Sequence, residues 1–298
     1  MDVSTVVDDN GNAMSFKQYK GRRFHPSMVG NITDTLVNIS SFSVLEDDVL
    51  LCSYPKSGTH WVYNMILMLR YKSLEYHGSP FLLEFDDLSL MSELNSKRTY
   101  GTHLSYPFIP EEVKKGQAKV VKVSRNPKDV VCSLYEYQKK IDNQLYKGDF
   151  NGLLKCFLSD EIPTCGASWF THVKEWESAK KMNPNLNCLN LRYENLKRDL
   201  FPNIVKLANF LEVDHDEKFL RQVEHAVSFD NLRIEHDTPK GGTTKCSTWI
   251  KDGRLPIYRK GIVGDWKETL TVQQNETFDA VFKEKMAAMS IDLDFDFE

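Results

Sequence analysis

The stretch Asp47-Asp48-Val49-Leu50-Leu51-Cys52-Ser53-Tyr54-Pro55-Lys56-Ser57-Gly58-Thr59-His60-Trp61 decides how this chain is read. Residues 47–54 read as a short buried strand behind two acids. Pro55–Gly58 break it, and an apolar helical stretch follows to about Tyr71. A strand-to-helix junction of this kind suits an anion, because the first amides of a helix lack intrahelical partners and carry partial positive charge. Gly58 permits close backbone approach, Ser57 and Thr59 add hydroxyl donors, and Lys56 adds a full charge. The lysine precedes the glycine here, so the order is not the G-x-x-x-x-G-K-[ST] of common phosphate loops. On this segment alone, an ordinary helix start capped by Ser57 is the competing reading.

Working outward, Ala118–Ser124 is a second strand, followed by Arg125-Asn126-Pro127 and a helix over Lys128–Lys140. Leu186–Arg192 is a third strand, with a helix over Asn203–Leu211 behind it. Short apolar strands alternating with helices predict an α/β fold around a central parallel sheet flanked by helices. Ligands in such sheets bind beyond the carboxyl ends of the strands, which puts Pro55–Thr59, Arg125 and Tyr193 at one edge. Ser168–Lys181 carries Trp169, Val173 and Trp176 at helical spacing and reads as core packing. A polar segment of about residues 1–20 opens the chain. Residues 233–258 contain Gly241, Gly242 and Gly253 without a sustained period, and read as a long loop that serves as a lid.

The 298 residues hold 41% hydrophobic and 27% charged residues, which is ordinary for a globular chain with a sizeable core, and one domain over 1–298 is the simplest division. A net charge of −4 gives no field favouring nucleic acid or an anionic membrane, so an anionic ligand needs a local basic site. The first residues lack the basic and apolar parts of a signal peptide, and no apolar run approaches the roughly 18–20 residues that span a bilayer. The six cysteines form no C-x-x-C pair, which fits reduced thiols and a cytoplasmic location and offers no metal-ligand cluster.

Tyr54–Trp61 (YPKSGTHW), Arg125–Ser133 (RNPKDVVCS) and Arg259–Lys267 (RKGIVGDWK) together closely resemble the cytosolic sulfotransferase family. Thr102–Leu104 and Arg192–Leu196 lie where that family has related segments, and the resemblance runs over about residues 45–290. It implies a P-loop-like α/β domain that binds 3'-phosphoadenosine-5'-phosphosulfate (PAPS), requires no metal, and releases adenosine 3',5'-bisphosphate (PAP). By that resemblance Ser57, Gly58, Thr59 and the following turn hold the 5'-phosphosulfate end, with Lys56 beside them. Arg125, Ser133, Arg259, Lys260 and Gly261 hold the 3'-phosphate, where guanidinium groups suit bidentate contacts. Trp61, Tyr193 and Phe229, with Ser228, surround the adenine. His103 is the general base, Lys56 assists the leaving oxygen, and Ser133 holds Lys56 aside until the acceptor binds.

Phe81, Phe85, His103 and Tyr137 match or neighbour positions that line the acceptor pocket, which fits a flat, partly apolar, aromatic or steroid-like acceptor with a hydroxyl or amine. Lys267–Glu276 matches the family's short dimerisation pattern K-x-x-x-T-V-x-x-x-E and implies a homodimer. One departure stands out. Relatives commonly carry lysine two residues before the histidine, where this chain has Gly101; Lys97 and Arg98 are the nearby cations that could substitute. A PAP- or PAPS-binding protein with weak or no transferase activity is therefore the alternative. His60 replaces a commoner threonine, and contact with the nucleotide, contact with the acceptor and mere tolerance of solvent all remain open for it.

Overall fold

The computed structural model describes residues 3–8, 10–94, 96–141, 146–237 and 257–290. The polar start of the chain, which announces no element in the sequence, folds into a small antiparallel sheet of β1 (Val3–Val7), β2 (Ala13–Tyr19) and β3 (Arg22–Phe24). It is held because Met14, Phe16 and Phe24 turn inward into the core.

The centre is a parallel sheet of β4 (Val49–Ser53), β5 (Thr99–Thr102), β6 (Lys119–Ser124) and β7 (Cys188–Arg192), in the order β5-β4-β6-β7. Every residue of β4 is buried, as an interior strand covered on both faces requires. Its side chains alternate between two cores. Val49 and Leu51 pack with Val121, Val123, Leu189 and Leu191 under the helices Thr59–Tyr71 and Leu200–Phe210. Leu50 and Cys52 pack with Phe24, Ile39, Tyr100 and Trp176 on the other face. The expected strands and helices are present within a few residues of their anticipated bounds, and β5 is an addition. Residues 233–237 are not loop: they complete the helix Phe229–Asp237, and residues 238–256 of the anticipated lid lie outside the described residues. No helix among the described residues is long and apolar enough to cross a membrane.

The two acids ahead of β4 work at the end of the sheet opposite the candidate site. Asp48 is fully buried and receives Arg98 Nε at 2.8 Å, Arg98 Nη2, the Tyr100 hydroxyl at 3.0 Å and the Leu45 amide at 3.0 Å. Removing one partner of a buried pair leaves an uncompensated charge, which typically destabilises by roughly 3–5 kcal/mol. Asp48→Ala is expected to lower stability by that amount, read from the urea midpoint at unchanged m-value; a loss below about 1 kcal/mol would show that the pair does not anchor the sheet.

Candidate active site

Each strand of the parallel sheet ends in a residue that faces one cavity. Pro55–Trp61 follow β4, His103 follows β5, Arg125 follows β6 and Tyr193 follows β7. The segment Ile257–Ile262 closes the cavity from outside the sheet, and the helix Pro127–Gln138 adds Ser133 and Tyr137. The space measures about 530 Å³.

The turn after β4 uses unusual backbone. Lys56 has φ +68°, a region that non-glycine residues enter at a cost and that concentrates at functional sites. Gly58 has φ +101°, and a Cβ there would lie 2.9 Å from Tyr193 Cδ2, so the glycine lets the aromatic that follows β7 close on the turn. The Ser57 hydroxyl is buried with no partner among the described residues, as is Nδ1 of His60. Ser57 does not cap the helix Thr59–Tyr71; Gly58 occupies the N-cap position and the helix lacks a side-chain cap. The open amides of that helix therefore remain available to an anion.

Cations from three distant segments converge here. Arg125 donates from Nη1 to the Lys56 carbonyl at 3.0 Å and from Nη2 to the Ile262 carbonyl at 3.4 Å, and lies 4.2 Å above the Tyr193 ring centroid. Lys56 Nζ sits 4.0 Å above the ring of Tyr137. Arg259 is paired to Asp265, and Lys260 bridges Asp265 at 2.5 Å and Glu268 at 2.8 Å. Burial, then the charges of Arg125, Arg259 and Lys140, push the Lys56 ammonium down to about 7.

His103 presents a defined tautomer. Its Nδ1 lies 2.8 Å from the Ser53 carbonyl, which can only accept, so Nδ1 carries the proton and Nε2 a lone pair. Burial pushes the imidazole down to about 4, against the Ser53 bond that favours its charged form, so the ring is neutral near pH 7. Its backbone N–H donates to Glu84 Oε1 at 2.7 Å, and the Thr102 hydroxyl donates to Oε2 at 2.8 Å. Burial raises that carboxyl to about 7.

A family model described as the sulfotransferase domain matches residues 46–290. The chain belongs to the sulfotransferase family. It is 32% identical to sulfotransferase 4A1 of Mus musculus, over 94% of this chain and 92% of that protein. It is 28% identical to the amine sulfotransferase of Oryctolagus cuniculus, over 90% and 89%. The crystal structure of mouse sulfotransferase SULT7A1 complexed with PAP matches with a TM-score of 0.75 at 31% identity, covering 91% of this chain and 95% of that one. Retinol dehydratase in a complex with retinol and PAP shares the fold at 19% identity, with a TM-score of 0.76 over 99% and 92%.

Of the residues anticipated for this sulfotransferase site, the cavity is lined by Lys56, Gly58, Thr59, His60, Trp61, Phe81, Phe85, His103, Arg125, Ser133, Tyr137, Tyr193, Phe229, Arg259, Lys260 and Gly261. Ser57 and Ser228 stand just behind the wall. Two expectations change. Lys56 engages Tyr137, one helical turn beyond Ser133, and not Ser133 itself. Arg98 is locked to Asp48 and, with Lys97, precedes β5 at the end of the sheet away from His103, so neither cation substitutes for a side chain at Gly101. The Thr59 hydroxyl lies 2.7 Å from that of Ser53, and when Ser53 donates, Thr59 keeps its O–H for an anion. Sequence reasoning missed Lys197, whose ammonium lies 5.4 Å from the Trp61 ring centroid and 5.8 Å from that of Phe229. The signal was its place four residues after Tyr193 on one helix face.

Proposed function

We propose that this sulfotransferase works with PAPS as donor and a small aromatic or steroid-like acceptor carrying a hydroxyl or amine, releasing PAP. The observation that carries this reading is the convergence of Lys56, Arg125 and Arg259 on the cavity that also receives neutral His103. The fit is supported by what the protein leaves unmatched. The Ser57 hydroxyl, Nδ1 of His60 and Nε of Arg125 are buried without partners among the described residues, and burial, then the charges of Arg125, Arg259 and Lys140, depress Lys56. A doubly phosphorylated nucleotide offers the oxygens and negative charge that such groups call for. The mouse relative complexed with PAP supports the same assignment.

In this reading, Ser57 to Trp61 and Lys56 grip the 5'-end; Arg125, Ser133, Arg259, Lys260 and Gly261 grip the 3'-phosphate; Trp61, Tyr193, Phe229 and Ser228 enclose the adenine, with Lys197 beside it. Bound PAPS supplies the sulfuryl group. Nε2 of His103 takes the acceptor's proton, while Ser53 holds the ring through Nδ1. Lys56 and the helix amides stabilise negative charge on the leaving oxygen. Phe81, Phe85 and Tyr137 position the acceptor. We also place the whole chain, 1–298, in one sulfotransferase domain acting in the cytoplasm as a homodimer through Lys267–Glu276, where Val272 is 77% exposed beside the capped helix start at Thr271.

His103→Ala is expected to lower turnover of a PAPS-dependent acceptor panel at least 10²-fold while PAP affinity stays within about threefold. Unchanged turnover removes His103 from the role of base; tight PAP binding by the wild type without turnover of any acceptor favours the binding-protein alternative.

Lys56 should couple binding to protons. Its ammonium titrates near 7 in the free protein, and an adjacent polyanion raises that value, so above pH 7 binding draws in a proton and weakens with rising pH by up to about tenfold per unit. Calorimetry of PAP binding at pH 8–9, in buffers of differing ionisation enthalpy, should show uptake approaching one proton that Lys56→Met lacks; equal uptake by the two proteins contradicts the assignment. Val272→Glu is expected to sediment as a monomer at concentrations where the wild type is a dimer, and a monomeric wild type would end the dimer proposal.

A further inference from the structure

Beside His60 and His103, the cavity holds a third imidazole that none of the assigned roles uses. His25 follows β3 and lines the same space as Phe81, Phe85 and His103. The backbone N–H of Ser27 donates to its Nδ1 at 3.1 Å. A ring nitrogen that accepts carries no proton, so the neutral ring carries it on Nε2. His103 has the opposite arrangement, with its proton on Nδ1 toward Ser53. The two rings therefore offer the cavity opposite polarity: one lone pair ready to take a proton, and one N–H ready to donate a hydrogen bond.

The His25 ring is oriented by an edge-on contact with Phe85, at 5.7 Å between centroids and 83° between planes. Nε2 has no hydrogen-bond partner among the described residues and is not sealed within the packing. Burial, then the nearness of His103, hold the imidazole down to about 4, so it stays neutral around pH 7 and acts as a fixed donor. The neighbouring carboxylate of Asp86 is engaged by the Leu82 amide at 2.7 Å. An unpaired donor among apolar walls discriminates well, because a molecule that fills the space without accepting leaves a desolvated N–H behind.

We propose that His25 is a specificity-determining residue whose Nε2–H binds a second, remote oxygen of the acceptor, a ketone, ether or hydroxyl, and selects such molecules over matched ones lacking it. The inference rests on the sulfotransferase reading above and names the acceptor class for that site. The walls Phe81, Phe85 and Tyr137 hold the body of the molecule, His103 faces the reacting group, and His25 reads the other polar end.

The test starts with a panel of simple phenols and amines incubated with PAPS and the full chain. Matched pairs are then built on whichever head group turns over: a rigid polycyclic acceptor with a remote ketone or hydroxyl, and the same molecule with CH2 in its place. The wild type should favour the oxygenated member by about tenfold in kcat/KM, mainly through KM. His25→Phe, which keeps the ring contact, should bring the ratio close to one, and His25→Gln, which keeps an N–H, should retain part of it. A wild type that does not separate the pair, or a His25→Phe variant that keeps the full ratio, overturns the proposal. If thermal melting shows His25→Phe unfolded, the His25→Gln ratio and the wild-type pair still decide it. Failure of folded wild type to turn over any panel member defeats the underlying transferase reading instead.

Discussion

Gathering Lys56, Arg125 and Arg259 around one low-dielectric space sets like charges against each other, and much of the surrounding architecture serves to hold them there. The guanidinium of Arg125 is pinned by two carbonyls from separate segments and laid over Tyr193. Behind it, fully buried Asp129 accepts the amides of Gly264 and Trp266 at 2.9 and 3.1 Å, tying the last cationic segment to the helix Pro127–Gln138. Asp265 engages Arg259 and Lys260 from the same side. Asp265 thus partly balances Arg259 and Lys260, while burial, then the charges of Arg125, Arg259 and Lys140, still depress Lys56.

The base side is built by the opposite means. His103 is neutral because it is buried, and its orientation comes from a main-chain carbonyl of the strand beside it. Glu84 joins that base to the acceptor wall. Its carboxylate receives the His103 amide and the Thr102 hydroxyl while its own backbone lies between Phe81 and Phe85. Glu84 thus ties the turn that carries His103 to the segment bearing Phe81 and Phe85. The parallel sheet makes this possible with few residues, since four strands ending at one edge deliver four site segments without long connections of their own.

The strands β4, β6 and β7 are readable because each is a short, largely apolar segment ahead of a helix, and the three cationic motifs are readable because a phosphate ligand demands those residue types. The strand β5 was not. It is four residues long with Gly101 inside it, and its burial comes from neighbours in space rather than from its own composition. The antiparallel start of the chain escaped for a related reason: Met14 and Phe16 alternate with polar residues over one short strand, a weak signal beside the exposed β1. His25 and Lys197 lie outside the motifs, and only their spatial setting marks them. Arg98 shows the reverse error, because sequence proximity to His103 concealed that a strand runs between them to the far edge of the sheet.

That strand also explains the missing side chain at position 101. The Gly101 N–H donates to the Phe81 carbonyl at 2.7 Å and its carbonyl accepts from the Leu83 amide at 3.0 Å, so the residue binds the acceptor wall to the sheet. A Cβ there would lie 2.9 Å from Leu82 Cδ2, closer than packed carbons tolerate. A larger residue at this position would require the Leu82 side chain to turn aside. The turn after β4 brings Lys56 and the uncapped helix start together at the cavity, one strand away from Gly101.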